Sequence, residues 1–284
     1  MKRILLIGSG GYIGQAFVKE IQDRGIALEV DHNRLYYHTR KIGPVLNTTS
    51  PDLVINCAAF ITKPSVDLCE NHKADTLIGN LVFPHLLACL CSDRDIPLLH
   101  VSTGCLYSGD NQGNGFTEMD PPMLTLDSGC GIYVASKELA ERAVRDACFN
   151  RYICRIRLPF SNVHHERNYI SKLLTYPKIY SNVNSISCRE DFVKACLDLW
   201  HRGAAYGTYN MTNPGSITAR EIIDMVEHYA GIQRDWKYWE EEEFMASVTT
   251  KKSNCVLNVD KLLLTGVKIR PIRDAVQDCI INWI

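Results

Sequence analysis

Along the first half of the chain, short apolar runs alternate with stretches whose apolar residues recur every three or four positions. Arg3 to Ile7, Ala27 to Asp31, Leu53 to Asn56, Pro97 to Ser102 and Cys154 to Leu158 read as strands; Gly11 to Arg24, Val66 to Cys91 and Tyr133 to Asn150 read as helices. Strands that alternate with helices predict an α/β fold, a doubly wound parallel sheet covered on both faces. After Leu158 the alternation weakens, and Tyr206 to Thr212 reads as one more strand returning to the sheet. The expected division is a main domain over residues 1–158, with 184–212 returning to it, and a smaller α/β substrate-binding lid from residues 159–183 and 213–284.

A chain of 284 residues, 46% of them hydrophobic, is long enough to bury a full core. A formal net charge of -1 without long basic runs gives no reason to expect nucleic acid or an anionic membrane as partner, so a small molecule is the expected one. The apolar start, Met1 to Ile7, is broken at once by Gly8-Ser9-Gly10-Gly11, and Leu81 to Cys91 is interrupted by Pro84 and His85. No bilayer span is expected, and a soluble, cytoplasmic protein is. The 12 cysteines lack paired metal spacing, so reduced, mostly buried thiols and no metal site are expected.

Parallel sheets bind ligands at the carboxyl ends of their strands, and there stand Gly8 to Gly11, Asp31, Cys57 to Ala59 and Ser102 to Cys105. Gly8, Gly11 and Gly14 have the GxxGxxG spacing directly after a strand and at the mouth of a helix. Backbone amides and the helix dipole can there meet a pyrophosphate with no Cβ in the way. The expected dinucleotide contacts are Gly8, Gly11, Tyr12, Ile13 and Gly14, with Ala58 and Ala59 after the third strand. At the end of the second strand Asp31 argues for NAD and Arg34 for NADP, so both NADPH and NADH stay open.

Tyr133 and Lys137 lie one helical turn apart and project from one face. A phenol that ionises near ~10 needs a neighbouring cation to act as acid or base near neutrality, and Lys137 can supply it. Thr103, at the end of the preceding strand, offers a hydroxyl for a substrate carbonyl oxygen beside Tyr133.

Glycine turn, strand-end hydroxyl and YxxxK, in this order, resemble the extended short-chain dehydrogenase/reductase family over nearly the whole length. The resemblance implies a Rossmann-like main domain, Tyr133 as catalytic acid with Lys137 and Thr103 as partners, and Asn80 as the structural asparagine near the cofactor. Within it, the chain is most similar to the UDP-4-keto-6-deoxyglucose 3,5-epimerase/4-reductases of UDP-rhamnose synthesis, and more distantly to dTDP-4-dehydrorhamnose reductases. Pro64 to Lys73, Thr103 to Tyr107, Gly115 to Glu118, Arg167 to Lys172 and Tyr209 to Gly215 carry this likeness.

That likeness implies a UDP- or dTDP-linked 4-keto-6-deoxy sugar as substrate and a homodimer. It makes Cys105 and Lys172 the acid and base that invert the carbons beside the ketone, and brings Asn168, Lys252 and Asn254 to the nucleotide-sugar. Lys252 and Cys255 replace an arginine and an asparagine of the related segment, which leaves uridine and thymidine both open. Taken without the resemblance, a packed thiol and a surface cation or diphosphate clamp fit Cys105 and Lys172 as well. The competing readings are a reductase alone and a non-catalytic subunit of the same fold. Arg189 reads as a phosphate ligand or a surface charge, and the acidic run Glu240 to Glu243 beside Trp236, Tyr238 and Trp239 as a solvated helix start over a small core.

Overall fold

The structure is a computed structural model and describes residues 2–31, 38–63, 65–248, 250 and 252–284. Its centre is a six-stranded sheet of β1 (Arg3–Ile7), β2 (Ala27–Val30), β3 (Leu53–Asn56), β4 (Leu98–Thr103), β5 (Arg151–Ile156) and a later strand, Gly207–Asn210. All neighbours are parallel. β1 and β3 are near-continuous apolar runs because both faces of the sheet are covered. Ile4 and Leu6 point into one core with Phe17 and Ile21 of α1 (Tyr12–Asp23), while Leu5 and Ile7 point into the other.

The second face is covered by α2 (Ile42–Thr49) and a helical run that follows β3. That run is a 3₁₀ segment, Val66–His72, then α3 (Lys73–Leu77), a π turn over Ile78–Val82, and α4 (Phe83–Ser92). α5 (Ile132–Ala147) packs beside it. The expected break at Pro84 and His85 does not occur: the helical run continues through them, with Pro84 just past the π turn Ile78–Val82, where the regular α-helical bonding is already interrupted. By length and composition the unbroken run Val66–Ser92, which holds an 18-residue window with a mean hydropathy of 1.5, meets the requirements of a membrane span. In this fold its Thr76, Asn80, Phe83, Leu87 and Cys91 are buried.

The chain leaves β1 for β2 on one side and later enters β3 on the other, which opens a crevice at their carboxyl ends. The fifth strand starts three residues earlier than the pattern suggested and stops at Ile156. Leu158, with φ of 37°, already turns the chain away.

The remaining elements are α6 (Tyr169–Thr175), β6 (Val183–Asn184), α7 (Arg189–His201), β7 (Gly207–Asn210), β8 (Ile217–Thr218), α8 (Ala219–Ala230), α9 (Glu241–Ser247), α10 (Asp260–Leu264) and α11 (Ile272–Ile281). α7 and β7 belong to the main sheet. β6 pairs antiparallel with β8, and Phe160, Ile170, Leu173, Ile222, Val226 and Val276 form a separate core. Leu262 and Val267, expected in the lid, pack into the main core, since their apolar side chains fill the space beside Tyr209 and Trp200.

Candidate active site

At the glycine turn, Gly8 has φ of 87°, and a Cβ on it would lie 2.6 Å from the Ala58 amide nitrogen. A Cβ on Gly14 would stand 2.0 Å from Gly8 O. These glycines let β1, α1 and the β3 end meet backbone to backbone. Among the described residues, nothing lies within 4 Å of a Cβ built on Gly10, and no side chain caps the first turn of α1. This cradle and its undirected amides fit a dinucleotide pyrophosphate. Ala58 donates its amide to Asn56 Oδ1 at 3.0 Å, and Asp31 follows β2 with its amide on Leu6 O at 3.1 Å. Arg34 lies outside the described residues. Ile13 is half-buried against the main core. The Tyr12 hydroxyl donates to Ser161 at 2.8 Å, its ring stacks on His165, and the Arg189 guanidinium lies over it.

α5 presents Tyr133, Lys137 and Glu141 along its inner side. A buried pair, Glu141 with Arg155 of β5 at 2.7 Å, is completed by Ser102 and Tyr107 and fixes the helix on the sheet. The start of α5 is held by Glu70, which accepts the Ile132 amide. Lys137 is buried and donates to Val101 O at 2.9 Å; burial pulls its ammonium down to about 8 against the opposing effect of Glu141. Burial also raises the Tyr133 phenol above its usual range, with Cys105 and Cys69 adding and Arg167 opposing. Thr103 ends β4 nearly buried, and its Oγ1 accepts the Cys105 amide at 3.1 Å.

A cavity of about 540 Å³ opens beside α5 and contains both Tyr133 and Cys105 in its wall. Arg157 lines it too, 1% exposed, and donates to Cys105 Sγ at 3.1 Å, to Ser253 Oγ at 3.0 Å and to Asn184 Oδ1 at 2.5 Å. Further along, the wall is aromatic: Tyr180 and Phe244 stack at 3.8 Å between ring centres, with Trp239 edge-on to Phe244. Polar groups and aromatic faces in one cleft are what a nucleotide-linked sugar requires.

The family model described as RmlD substrate binding domain matches residues 1–283. The chain belongs to this family. It is 28% identical over 277 residues to a bifunctional dTDP-4-dehydrorhamnose 3,5-epimerase/dTDP-4-dehydrorhamnose reductase of Arabidopsis thaliana, covering 95% of this chain and 90% of the relative. To a trifunctional UDP-glucose 4,6-dehydratase/UDP-4-keto-6-deoxy-D-glucose 3,5-epimerase/UDP-4-keto-L-rhamnose-reductase of the same plant it is 27% identical, with 96% of this chain but 41% of the relative covered. Among solved structures, the L780 UDP-rhamnose synthase of Acanthamoeba polyphaga mimivirus superposes with a TM-score of 0.90 at 24% identity, over 99% of both chains. A dTDP-4-dehydrorhamnose reductase of Bacillus anthracis in complex with NADP gives 0.81 at 19% identity, over 100% of this chain and 98% of that one.

On this RmlD-family frame the remaining expected residues fall at different places. Lys172, on α6, lines a neighbouring cleft with Lys63, His165 and Arg167, and Tyr176 borders both cavities. Burial and the like charge of Arg167 lower the Lys172 ammonium from its usual range. Lys252 and Asn254 stand in the wall of the larger cavity. Lys252 is not an open cation, however, because Asp67 holds it at 2.5 Å, and Asn254 Oδ1 accepts from Asn184 at 3.3 Å. Burial would raise Asp67, but Lys252 and then Ser65 bring its carboxyl below the usual range.

Two asparagines are held by the protein's own backbone, and Asn168 is not at the substrate site where it was expected. Asn168 is fully buried; it caps α6 through the Ile170 amide and donates to Ser161 O and Val163 O, so its amide is turned away from the cavity. Asn80, 1% exposed, binds both backbone groups of Phe60 and Ser136 Oγ and ties the loop after β3 to α5, a structural duty. Arg157 and the Trp239–Phe244–Tyr180 wall were not expected at the site. Two arginines in the otherwise apolar run Cys154 to Leu158 and the aromatic cluster beside the acidic run were their only signals. Arg189, paired with Glu190 at 2.6 Å, lies over the Tyr12 ring.

Proposed function

We propose that this chain converts a nucleotide-linked 4-keto-6-deoxy sugar to nucleotide-linked rhamnose, inverting carbons 3 and 5 and then reducing carbon 4 with NADPH. The observation that carries the reading is the joint placement of Tyr133 and Cys105 in one cavity, with Arg157 on the Cys105 sulfur. The relatives named for 4-keto reduction and for NADP support the second half, and the bifunctional plant relative supports the first. Bound at Gly8, Gly11 and Gly14, NADPH would supply the hydride.

The chain's own groups handle protons. Inversion needs a base to take the proton beside the ketone and an acid to return one to the other face. Lys172, lowered by burial, is the base, and Cys105 the acid. Tyr133 then protonates the carbon 4 oxygen, which Thr103 orients, and Lys137 returns a proton to the phenolate. Asn254 meets the nucleotide end, together with Lys252 if the substrate draws it from Asp67. UDP is the nucleotide we assign, on the likeness to the UDP-rhamnose synthase. A homodimer across the exposed Ile78, Val82 and Leu86, and a cytoplasmic place suited to 12 free cysteines, complete the reading.

One observation favours a reductase alone: Lys172 lines a different cleft from Cys105. Incubation with UDP-4-keto-6-deoxyglucose and NADPH, followed by chromatography of the sugar nucleotide, tests the reading. Oxidation of NADPH with UDP-rhamnose as product is expected; oxidation that requires an added 3,5-epimerase would leave the reductase alone.

A further inference from the structure

His100, in the middle of β4, is fully buried and belongs to none of the steps above. Its ring bridges two polar side chains. Asn56 uses Oδ1 to accept the Ala58 amide at 3.0 Å, so the atom it turns to His100 Nδ1, at 3.2 Å, is the nitrogen Nδ2. An amide nitrogen only donates. His100 Nδ1 therefore accepts, and a neutral ring must carry its hydrogen on Nε2. The ring is neutral, because burial and the nearby Lys137 charge hold it well below the usual histidine range. Nε2 stands 3.5 Å from Lys137 Nζ. Lys137 thus faces an N–H, which opposes an ammonium but can bond the lone pair of a free amine.

We propose that Asn56 and His100 are positioning residues for the reduction: Asn56 fixes the Nε2–H form of His100, and His100 donates to Lys137 when Lys137 is a neutral amine. The proposal rests on Tyr133 and Lys137 being the working pair. As the Tyr133 O–H bond breaks, a new O–H bond forms on the substrate oxygen and leaves a phenolate. An N–H bond of the Lys137 ammonium then breaks as the phenol re-forms, and the amine lone pair accepts from His100. A proton from solvent restores the ammonium. The other titratable groups acting on Lys137 are Glu141 on its own helix and Cys57 after β3. Glu141 is itself bonded to Arg155 on β5 and Ser102 on β4. This arrangement makes Lys137 a ready donor to the phenolate, at the cost of a narrower alkaline range.

Two resonance measurements on the full chain without ligands test it. In a nitrogen-15 histidine spectrum, His100 is expected as the neutral Nε2–H form at every pH at which the protein is folded. In protein labelled at lysine Cε, Lys137 is expected to titrate near 8, and in His100→Gln, whose carbonyl can accept from an ammonium, about one unit or more higher. Asn56→Ser, which frees the ring to change tautomer, should move Lys137 in the same direction. The alkaline limb of the reduction should follow, with kcat roughly tenfold lower in His100→Gln and KM for the sugar unchanged. An Nδ1–H or doubly protonated His100, or an unmoved Lys137 in both folded variants, overturns the proposal. Absence of keto-sugar reduction by the wild type would instead count against the proposed reaction, since neither resonance readout depends on it.

Discussion

Arg157 donates from Nη1 to Cys105 Sγ at 3.1 Å, and its other bonds reach Ser253 and Asn184 rather than any carboxylate among the described residues. Its Nε has no hydrogen-bond partner among the described residues. A guanidinium buried without a counter-charge is costly, and negative charge appearing on the sulfur at contact distance offsets that cost. Losing such a charged hydrogen bond is worth ~1.5–3 kcal/mol, or about ten- to a hundredfold in rate. Arg157→Lys should therefore slow deuterium exchange at carbons 3 and 5 by that factor, while reduction of an already epimerised keto-sugar stays within about threefold. Equal loss of both partial reactions would make Arg157 a structural residue of the cavity.

The Lys137 ammonium sits at about 8 in the fold, against ~10.4 in an unfolded chain. Between these values the unfolded state binds more protons, so folding is favoured progressively as pH rises through the interval; below about pH 8 the full cost of the buried charge is present. Comparing denaturant unfolding of wild type and Lys137→Met from pH 7 to 10 should show the wild type gaining, relative to the variant, by up to ~3 kcal/mol. A constant difference would place Lys137 in a solvated setting. Reduction by the wild type should also decline above pH 8, as the amine loses the proton it returns to Tyr133.

The glycine turn makes a sharper prediction. In Gly14→Ala the new methyl would meet Gly8 O at 2.0 Å, so the turn must open. NADPH affinity measured by fluorescence should fall at least about a hundredfold, a loss of ~2.7 kcal/mol, with the far-ultraviolet spectrum of the protein retained. Unchanged affinity would mean that the cofactor does not use this cradle.

Much of this was legible in the sequence. Gly8 and Gly14 stand out through the short spacing of a glycine turn, and Tyr133 and Lys137 through one helical turn, which glycine chemistry and periodicity expose directly. Thr103 follows from the end of a strand whose limits are local, whereas the role given to Cys105 came from the family resemblance alone. Arg157, His100 and Asn56 were not legible, because their meaning lies in contacts made across 52, 37 and 44 positions. Trp239 was read beside a solvated helix start over a small core for the same reason: only the fold brings it, through Phe244, to the wall that Tyr180 lines. Asn168 had a local signal that was passed over, since an asparagine ahead of Tyr169 to Thr175 is the mark of a helix cap.

Asn168 therefore yields a prediction about stability rather than binding. Replacing it with alanine removes the cap of α6 and leaves buried carbonyls of Ser161 and Val163 without their donor. A loss of ~1–3 kcal/mol in unfolding free energy is expected, with KM for the nucleotide sugar unchanged. A raised KM at unaltered stability would return Asn168 to the substrate site.

The central claim is that one chain performs both inversion and reduction, and the most direct test is to run the reaction in heavy water with UDP-4-keto-6-deoxyglucose and NADPH. Deuterium at carbons 3 and 5 of the product, abolished by Cys105→Ala or Lys172→Ala while reduction of an epimerised substrate persists, is the predicted result. Reduction without deuterium at either carbon would contradict the account and leave Cys105 and Lys172 outside the chemistry.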